Sequence, residues 1–224
     1  MCGRFTLFID RDLLAERFHL INIDELPYEP RYNIAPSQPV LAVIGDGEHN
    51  KVGFLRWGLI PSFVKDKAIG YKMINARAET VDEKPTFKRL LSRKRCLILA
   101  DSFYEWRKEG DKKIPMRIHL KDNAPFAFAG LWDRWQSPDG EEVMSCTIIT
   151  TESNVFMKEI HDRMPVILSR EAEKWWLDCS IVDHAFLKQL LVPYDADKMQ
   201  AYEVSTIVNS PKNDSKACIL KNDC

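Results

Sequence analysis

The residue at the start of the chain with the most distinctive chemistry is Cys2. Its small side chain permits removal of the initiator methionine, which would leave a free α-amine beside the thiol. That amine titrates near about 7.7–8.0, against about 10.4 for lysine, so near neutral pH it is neutral and nucleophilic a few hundred times more often. An N-terminal aminothiol condenses with an aldehyde to give an imine, and the thiol then closes a thiazolidine ring on the imine carbon. An internal cysteine cannot do this, because its nitrogen is locked in an amide. Read alone, Cys2 is equally an ordinary chain terminus.

The other cysteines, Cys96, Cys146, Cys179, Cys218 and Cys224, are scattered without a C-x-x-C pair. That argues against a zinc ribbon or a thioredoxin-like centre, and neither metal nor cofactor is expected. Cys96 within RCLIL and Cys146 within SCTII read as small core residues, and reduced thiols fit a cytosolic setting. The formal net charge is −1, so any nucleic-acid footprint must be local. One stretch offers it: KPTFKRLLSRKR, Lys84 to Arg95, holds six basic residues and no acidic one. A solvated helix face gives the same pattern.

These side chains need a scaffold, and 224 residues with 45% hydrophobic and 29% charged content can supply one sizeable core. The start MCGRFTLFID lacks a secretory pattern, and no segment approaches the roughly 18 apolar residues of a membrane helix. A soluble, cytosolic protein is expected. Val40–Ile44 and Lys51–Trp57 flank the turn-rich GDGEHN as a hairpin; Cys96–Trp106 and Ile114–Leu120 flank KEGDKK, and FAFAGLWDRW and EVMSCTIITT flank SPDG. Asp10 can cap a short helix with Leu13, Leu14 and Phe18 on its apolar face. Further helices are expected near Ser153–Ile160, Glu171–Leu177 and His184–Leu191. The result is an α+β fold, β-rich, of antiparallel sheets with interspersed helices. Neither G-x-G-x-x-G nor a P-loop occurs, which disfavours a nucleotide-cofactor enzyme.

MCGRF is followed in order by YNIAPSQ, RWGLIPSF, NARAET, FYEW, GLW, HDRMPVIL, WWL and VSTIVN. This ordered set resembles the SRAP family (SOS response-associated peptidase), whose members seal abasic sites as DNA–protein crosslinks. The blocks span nearly the whole chain, so the resemblance implies one domain over residues 1–224, with the N-terminus threaded into a central DNA-binding cleft. It implies four catalytic positions. Cys2 supplies amine and thiol; Asn75 holds the sugar or closing ring; Glu105, between Tyr104 and Trp106, passes protons; His161 helps open the sugar ring. Near them, Arg4, Arg77 and Arg163 are candidates for phosphate contacts, and Pro36 and Trp57 for wedging or stacking, with ion pairs and core packing as the alternatives. Leu99 and Ser102 replace the proline and glycine usual in the family's C-L-I-P-A-D-G-F-Y-E-W block, and a positive φ at Ser102 would strain the approach to Glu105.

The expected function is therefore covalent capture of abasic sites in single-stranded DNA, protecting the lesion during repair. A monomer, associated with the nucleoid when bound, is expected. Two readings compete: an N-terminal-nucleophile cysteine peptidase or amidase, and a non-covalent reader of modified DNA with Cys2 incidental.

Overall fold

A computed structural model describes residues 2–45 and 50–222. The turn expected over 46–49 lies outside the described residues, as do Met1 and Cys224. The strands in the first half are β1 (Phe5–Leu7), β2 (Arg31–Ile34), β3 (Pro39–Gly45), β4 (Asn50–Trp57), β5 (Asn75–Arg77) and β6 (Arg95–Ala100). The second half adds β7 (Ser102–Glu109), β8 (Lys112–Leu120), β9 (Phe126–Gln136), β10 (Glu142–Glu152), β11 (Arg163–Pro165) and β12 (Met199–Glu203). Helices are α1 (Arg11–Phe18), α2 (Pro85–Leu91), α3 (Arg170–Leu177) and α4 (His184–Gln189).

The strands form two sheets, giving the expected β-rich α+β fold. One sheet has the order β12-β8-β7-β1-β2. In the other, β10-β4-β3-β6-β9 closes on itself because β9 also pairs with β10, from Gln136 opposite Glu142 to Gly130 opposite Ile148. A barrel of this kind leaves its strands without free edges. Parallel pairing of β4 with β10 departs from the all-antiparallel expectation. The reason is parity: a ring with an odd number of strands cannot alternate direction all the way round. β5, also parallel, and β11 extend the far end of β10.

All three expected hairpins are present: β3 with β4, β7 with β8 and β9 with β10. The span Cys96–Trp106, read as one strand, is instead two strands in different sheets. Asp101 makes the crossing, because its carboxylate accepts from the backbone of Phe8 (2.5 Å) and Ile9 (3.2 Å) and from the Thr6 hydroxyl. These bonds tie the break to β1. Ser102 follows without positive φ, and its hydroxyl accepts from Arg117 at 2.8 Å. The strain considered for that position does not arise.

The helix expected over 153–160 is also corrected. Asn154 Oδ1 accepts from the Met157 N–H at 2.8 Å, but only one 3-10 turn forms, Met157–Glu159. Pairing of Ser153 N–H with Asp162 C=O closes the segment into a loop before a second turn can form. In α1, Leu14 and Phe18 are buried one turn apart, whereas Leu13, about 100° around the helix from Leu14, is 55% exposed.

One contiguous core joins the sheets. Phe5 of the open sheet packs on barrel residues Trp57 (5.2 Å between ring centroids) and Phe128 (5.5 Å), and Phe103 reaches Phe128 at 6.2 Å.

Candidate functional site

β1 lies antiparallel to β7, with Phe5 opposite Phe103 and Thr6 opposite Ser102. The Arg4 carbonyl continues the ladder by accepting from Tyr104 N–H at 2.9 Å. This register carries Cys2 past Tyr104 to the neighbourhood of Glu105. Cys2 is fully buried. Burial pushes its thiol well above the usual range, and the nearby Glu105 carboxyl pushes in the same direction.

Glu105 is 3% exposed, on the same face of β7 as Phe103. Removal from water raises its pKa, and the charge of the His161 ring opposes that rise. From the loop before β11, His161 Nε2 stands 4.0 Å from Glu105 Oε2. His161 Nδ1 accepts the Arg163 backbone N–H at 3.0 Å, so a neutral ring must carry its proton on Nε2, facing Glu105. Asn75 lies on β5 opposite Ile148 of β10, whereas His161 lies in the loop two residues before β11, which pairs with the end of the same β10. Both polar atoms of its side-chain amide are buried and have no hydrogen-bond partner among the described residues. Buried amides are nearly always paired, so this one has unused hydrogen-bonding capacity.

The raised pKa of Glu105 has a consequence for stability. A group whose folded pKa lies above its unfolded value favours folding at pH below the unfolded value, and that contribution is lost as pH rises through the folded pKa. Above the ordinary carboxylate range this buried group therefore costs stability. Glu105→Gln is expected to melt higher than wild type at pH 7.5, with the advantage shrinking on acidification towards the ordinary carboxylate range. Each 1 kcal/mol gained corresponds to about 2–4 °C in a chain of this size. Thermal unfolding across pH checks this, and an equal or lower Tm at pH 7.5 refutes it.

The residues considered for DNA contact fare differently. Arg77 is exposed on β5. Arg163 binds Glu79 through both guanidinium branches, at 2.6 and 3.0 Å, and also donates to Thr150 C=O at 2.7 Å. A phosphate would have to compete with that carboxylate. Arg4 is half-buried, donating to Asn33 Oδ1 (2.8 Å) and Val208 C=O (2.6 Å), so the C-terminal segment holds it. Pro36 is half-buried in the turn that sets Ser37 at φ 73°. Trp57 requires a correction. It is fully buried, so its ring has no open face on which a base could stack.

Exposed aromatics lie instead in the segment after Trp57. Phe63 is 64% exposed with the Arg89 guanidinium 5.8 Å from its ring, and Tyr71 is 66% exposed with Arg56 at 5.1 Å. Gly58, at φ +124°, admits this segment, since a Cβ there would meet the Gly70 carbonyl at 2.6 Å. The available signal was an aromatic residue in the turn-forming, charged stretch PSFVKDK, where no strand core can form. The Trp106 indole donates to Asn209 Oδ1 at 2.8 Å, tying the residue after Glu105 to the C-terminal segment.

The basic run divides. Lys84, Lys88, Arg89 and Arg93 are exposed on or beside α2, whereas Arg95 is only 4% exposed. Among the described residues no three His, Cys, Asp or Glu side chains converge as a metal site, and no helix is long and apolar enough to cross a membrane.

Comparison with known proteins gives a consistent picture. The family model described as SOS response associated peptidase (SRAP) matches residues 1–211. Abasic site processing protein YoqW of Bacillus subtilis (strain 168) is 58% identical, covering 98% of this chain and 99% of that one. Abasic site processing protein HMCES of Xenopus tropicalis is 34% identical, covering 88% of this chain and 67% of that one. A crystal structure of a Bacteroides thetaiotaomicron protein superposes with a TM-score of 0.87 at 31% identity, covering 99% of this chain and 100% of that one. The match runs through every block that carries the Cys2, Asn75, Glu105 and His161 positions, and on it the chain belongs to the SOS response associated peptidase family.

Proposed function

We propose that this protein covalently captures abasic sites in single-stranded DNA, through a thiazolidine formed by Cys2 once Met1 has been removed. The observation that carries the reading is the burial of Cys2 near the Glu105 carboxyl, with His161 approaching that carboxyl from the loop before β11. Relatives named abasic site processing proteins, at up to 58% identity, support the substrate class.

The chemistry follows from the protonation states. The C1–O bond of the closed sugar breaks as the ring oxygen takes a proton from His161 Nε2–H and the C1 hydroxyl gives up its own proton, which returns to the His161 ring by way of Glu105, leaving the aldehyde and a neutral imidazole. The Cys2 amine adds to C1, one water leaves, and an imine forms. Sulfur then bonds to the imine carbon, while the thiol proton passes to nitrogen by way of Glu105. The overall step joins protein and sugar with loss of one water. A thiol held protonated by burial is a poor first nucleophile, so the amine leads. The peptidase reading requires the thiolate to attack first.

Single-stranded DNA suits this site, because reaching the sugar requires no duplex opening. Arg77 offers a phosphate contact, with Lys84, Lys88 and Arg93 as further exposed basic groups and Phe63 and Tyr71 as stacking surfaces. The decisive test is intact mass after mixing the protein with an abasic oligonucleotide. The reading requires the sum of the Met1-free chain and the oligonucleotide, less one water; only the two separate masses would end it.

Glu105→Gln and His161→Ala are expected to slow capture by roughly 10²–10⁴-fold without abolishing it, since the aminothiol keeps its intrinsic reactivity. By microscopic reversibility, at least one variant also slows release from a preformed adduct. Gel time courses in both directions, with an unlabelled abasic strand as trap during release, measure this. Wild-type rates throughout would remove both residues from the chemistry.

A further inference from the structure

Asn75 presents a problem of aim. Its amide atoms have no partner among the described residues, so no bond made by the side chain fixes its direction in the free protein. The direction must come from the backbone that carries it. That backbone is held at Ile74, whose carbonyl accepts two donors: Ile148 N–H of the adjoining β10 at 3.1 Å, and the Trp57 indole Nε1–H at 2.9 Å.

Trp57 is unusually well placed to set this position. Its ring is fully buried and packs on Phe5, three residues from Cys2. Its own backbone is fixed on both sides, with its N–H donating to Gln38 C=O at 2.9 Å and its C=O accepting from Ser37 N–H at 2.7 Å. One side chain therefore spans from the strand that bears the aminothiol to the peptide that precedes the asparagine amide. From this geometry we propose that Trp57 is a positioning residue for capture, aiming Asn75 through the Ile74 carbonyl. The inference rests on the proposed function above for its kinetic readout. It does not rest on it for its structural readout.

Removing the indole N–H leaves the Ile74 carbonyl with its ladder bond alone and frees the peptide to rotate. A shift of about 1 Å in a positioned group can cost about a hundredfold in rate. Trp57→Phe keeps an aromatic ring in the core and loses only the N–H edge and some volume. It is expected to lower the capture rate about tenfold, and the closing experiment is a double-mutant cycle with Asn75→Ala.

If Trp57 acts through Asn75, Trp57→Phe slows capture in the wild-type background but adds nothing in the Asn75→Ala background, while lowering Tm equally in both. Equal slowing in both backgrounds makes Trp57 merely structural and overturns the proposal, as does wild-type capture by Trp57→Phe. Absence of capture by the wild-type protein would instead refute the proposed function. The aim of Asn75 is then read from its side-chain amide resonances in free, 15N-labelled protein. One sharp pair in wild type, shifted or broadened in Trp57→Phe, upholds the proposal; unchanged resonances overturn it. Should Trp57→Phe fail to fold, the wild-type spectrum decides: a motionally averaged Asn75 amide overturns it and a sharp, dispersed pair upholds it.

Discussion

Cys2→Ala is expected to yield no adduct that survives denaturation, however long the protein is left with an abasic strand. The variant keeps an α-amine after loss of Met1, so it can still form an imine that borohydride reduction traps. What it lacks is the sulfur that converts the reversible imine into a ring. A chain with residues fused ahead of Cys2 goes further and loses both products, because its nitrogen has become an amide. Lysines do not substitute, since at neutral pH each is deprotonated a few hundred times less often than an α-amine. Single-stranded DNA affinity should persist in both proteins, as phosphate contacts carry most of it. Denaturing gels run with and without borohydride separate the two losses. A denaturation-stable adduct from the fused chain would eliminate the thiazolidine mechanism.

The largest effect on stability is expected at Arg95. This guanidinium, 4% exposed at the start of β6, donates to four backbone carbonyls: Leu91 and Ser92 (both 2.7 Å) at the end of α2, and Trp176 (2.5 Å) and Asp178 at the end of α3. Helix C-termini leave such carbonyls without intrahelical partners and carry partial negative charge, so one buried cation satisfies both ends together. Arg95→Ala strands them, at a cost of about 3–5 kcal/mol. At about 2–4 °C per kcal/mol, Tm should fall by roughly 10 °C. Arg95→Lys should recover little, because an ammonium lacks the planar fork that reaches four acceptors. The salt dependence of DNA binding should stay unchanged, whereas loss of a phosphate contact would flatten its slope by about one counterion. Chemical denaturation and a salt titration decide the matter. An unperturbed Tm with a flatter slope would return Arg95 to the DNA surface.

Arg95 also shows where sequence reading stops. Within KPTFKRLLSRKR nothing local distinguishes the last residue from its neighbours, since its acceptors come from two helices more than 70 residues apart in sequence. Trp57 was ambiguous for the same reason: its burial depends on Phe5 and Ile74, neither adjacent to it. The break at Asp101 depends on Phe8 and Ile9, so the apolar run through it read as one strand. Features set by short-range chemistry were legible. Turn-rich segments between apolar runs located the hairpins, and Asp10 caps its helix with a side-chain bond as its position suggests. The candidate site residues could be proposed only through ordered blocks of the whole chain. Asn75 and His161 carry no activating neighbours in sequence, Glu105 has only the flanking Tyr104 and Trp106, and the fold brings His161 within 4.0 Å of Glu105 from a loop 56 positions later in the chain.

The pairing of β1 with β7 sets a clock for the maturation that the proposed chemistry would require. Cys2 is sealed in the finished fold, and the strand that covers it begins at Ser102, some hundred residues later. At about 5–20 residues per second of synthesis, the amino terminus stays uncovered for roughly 5–20 s before its partner strand exists. An aminopeptidase working on the nascent chain has that interval to remove Met1. Once β7 docks, Cys2 is buried, so on the proposed mechanism trimming that lags behind folding would leave a fraction of molecules folded but unable to react.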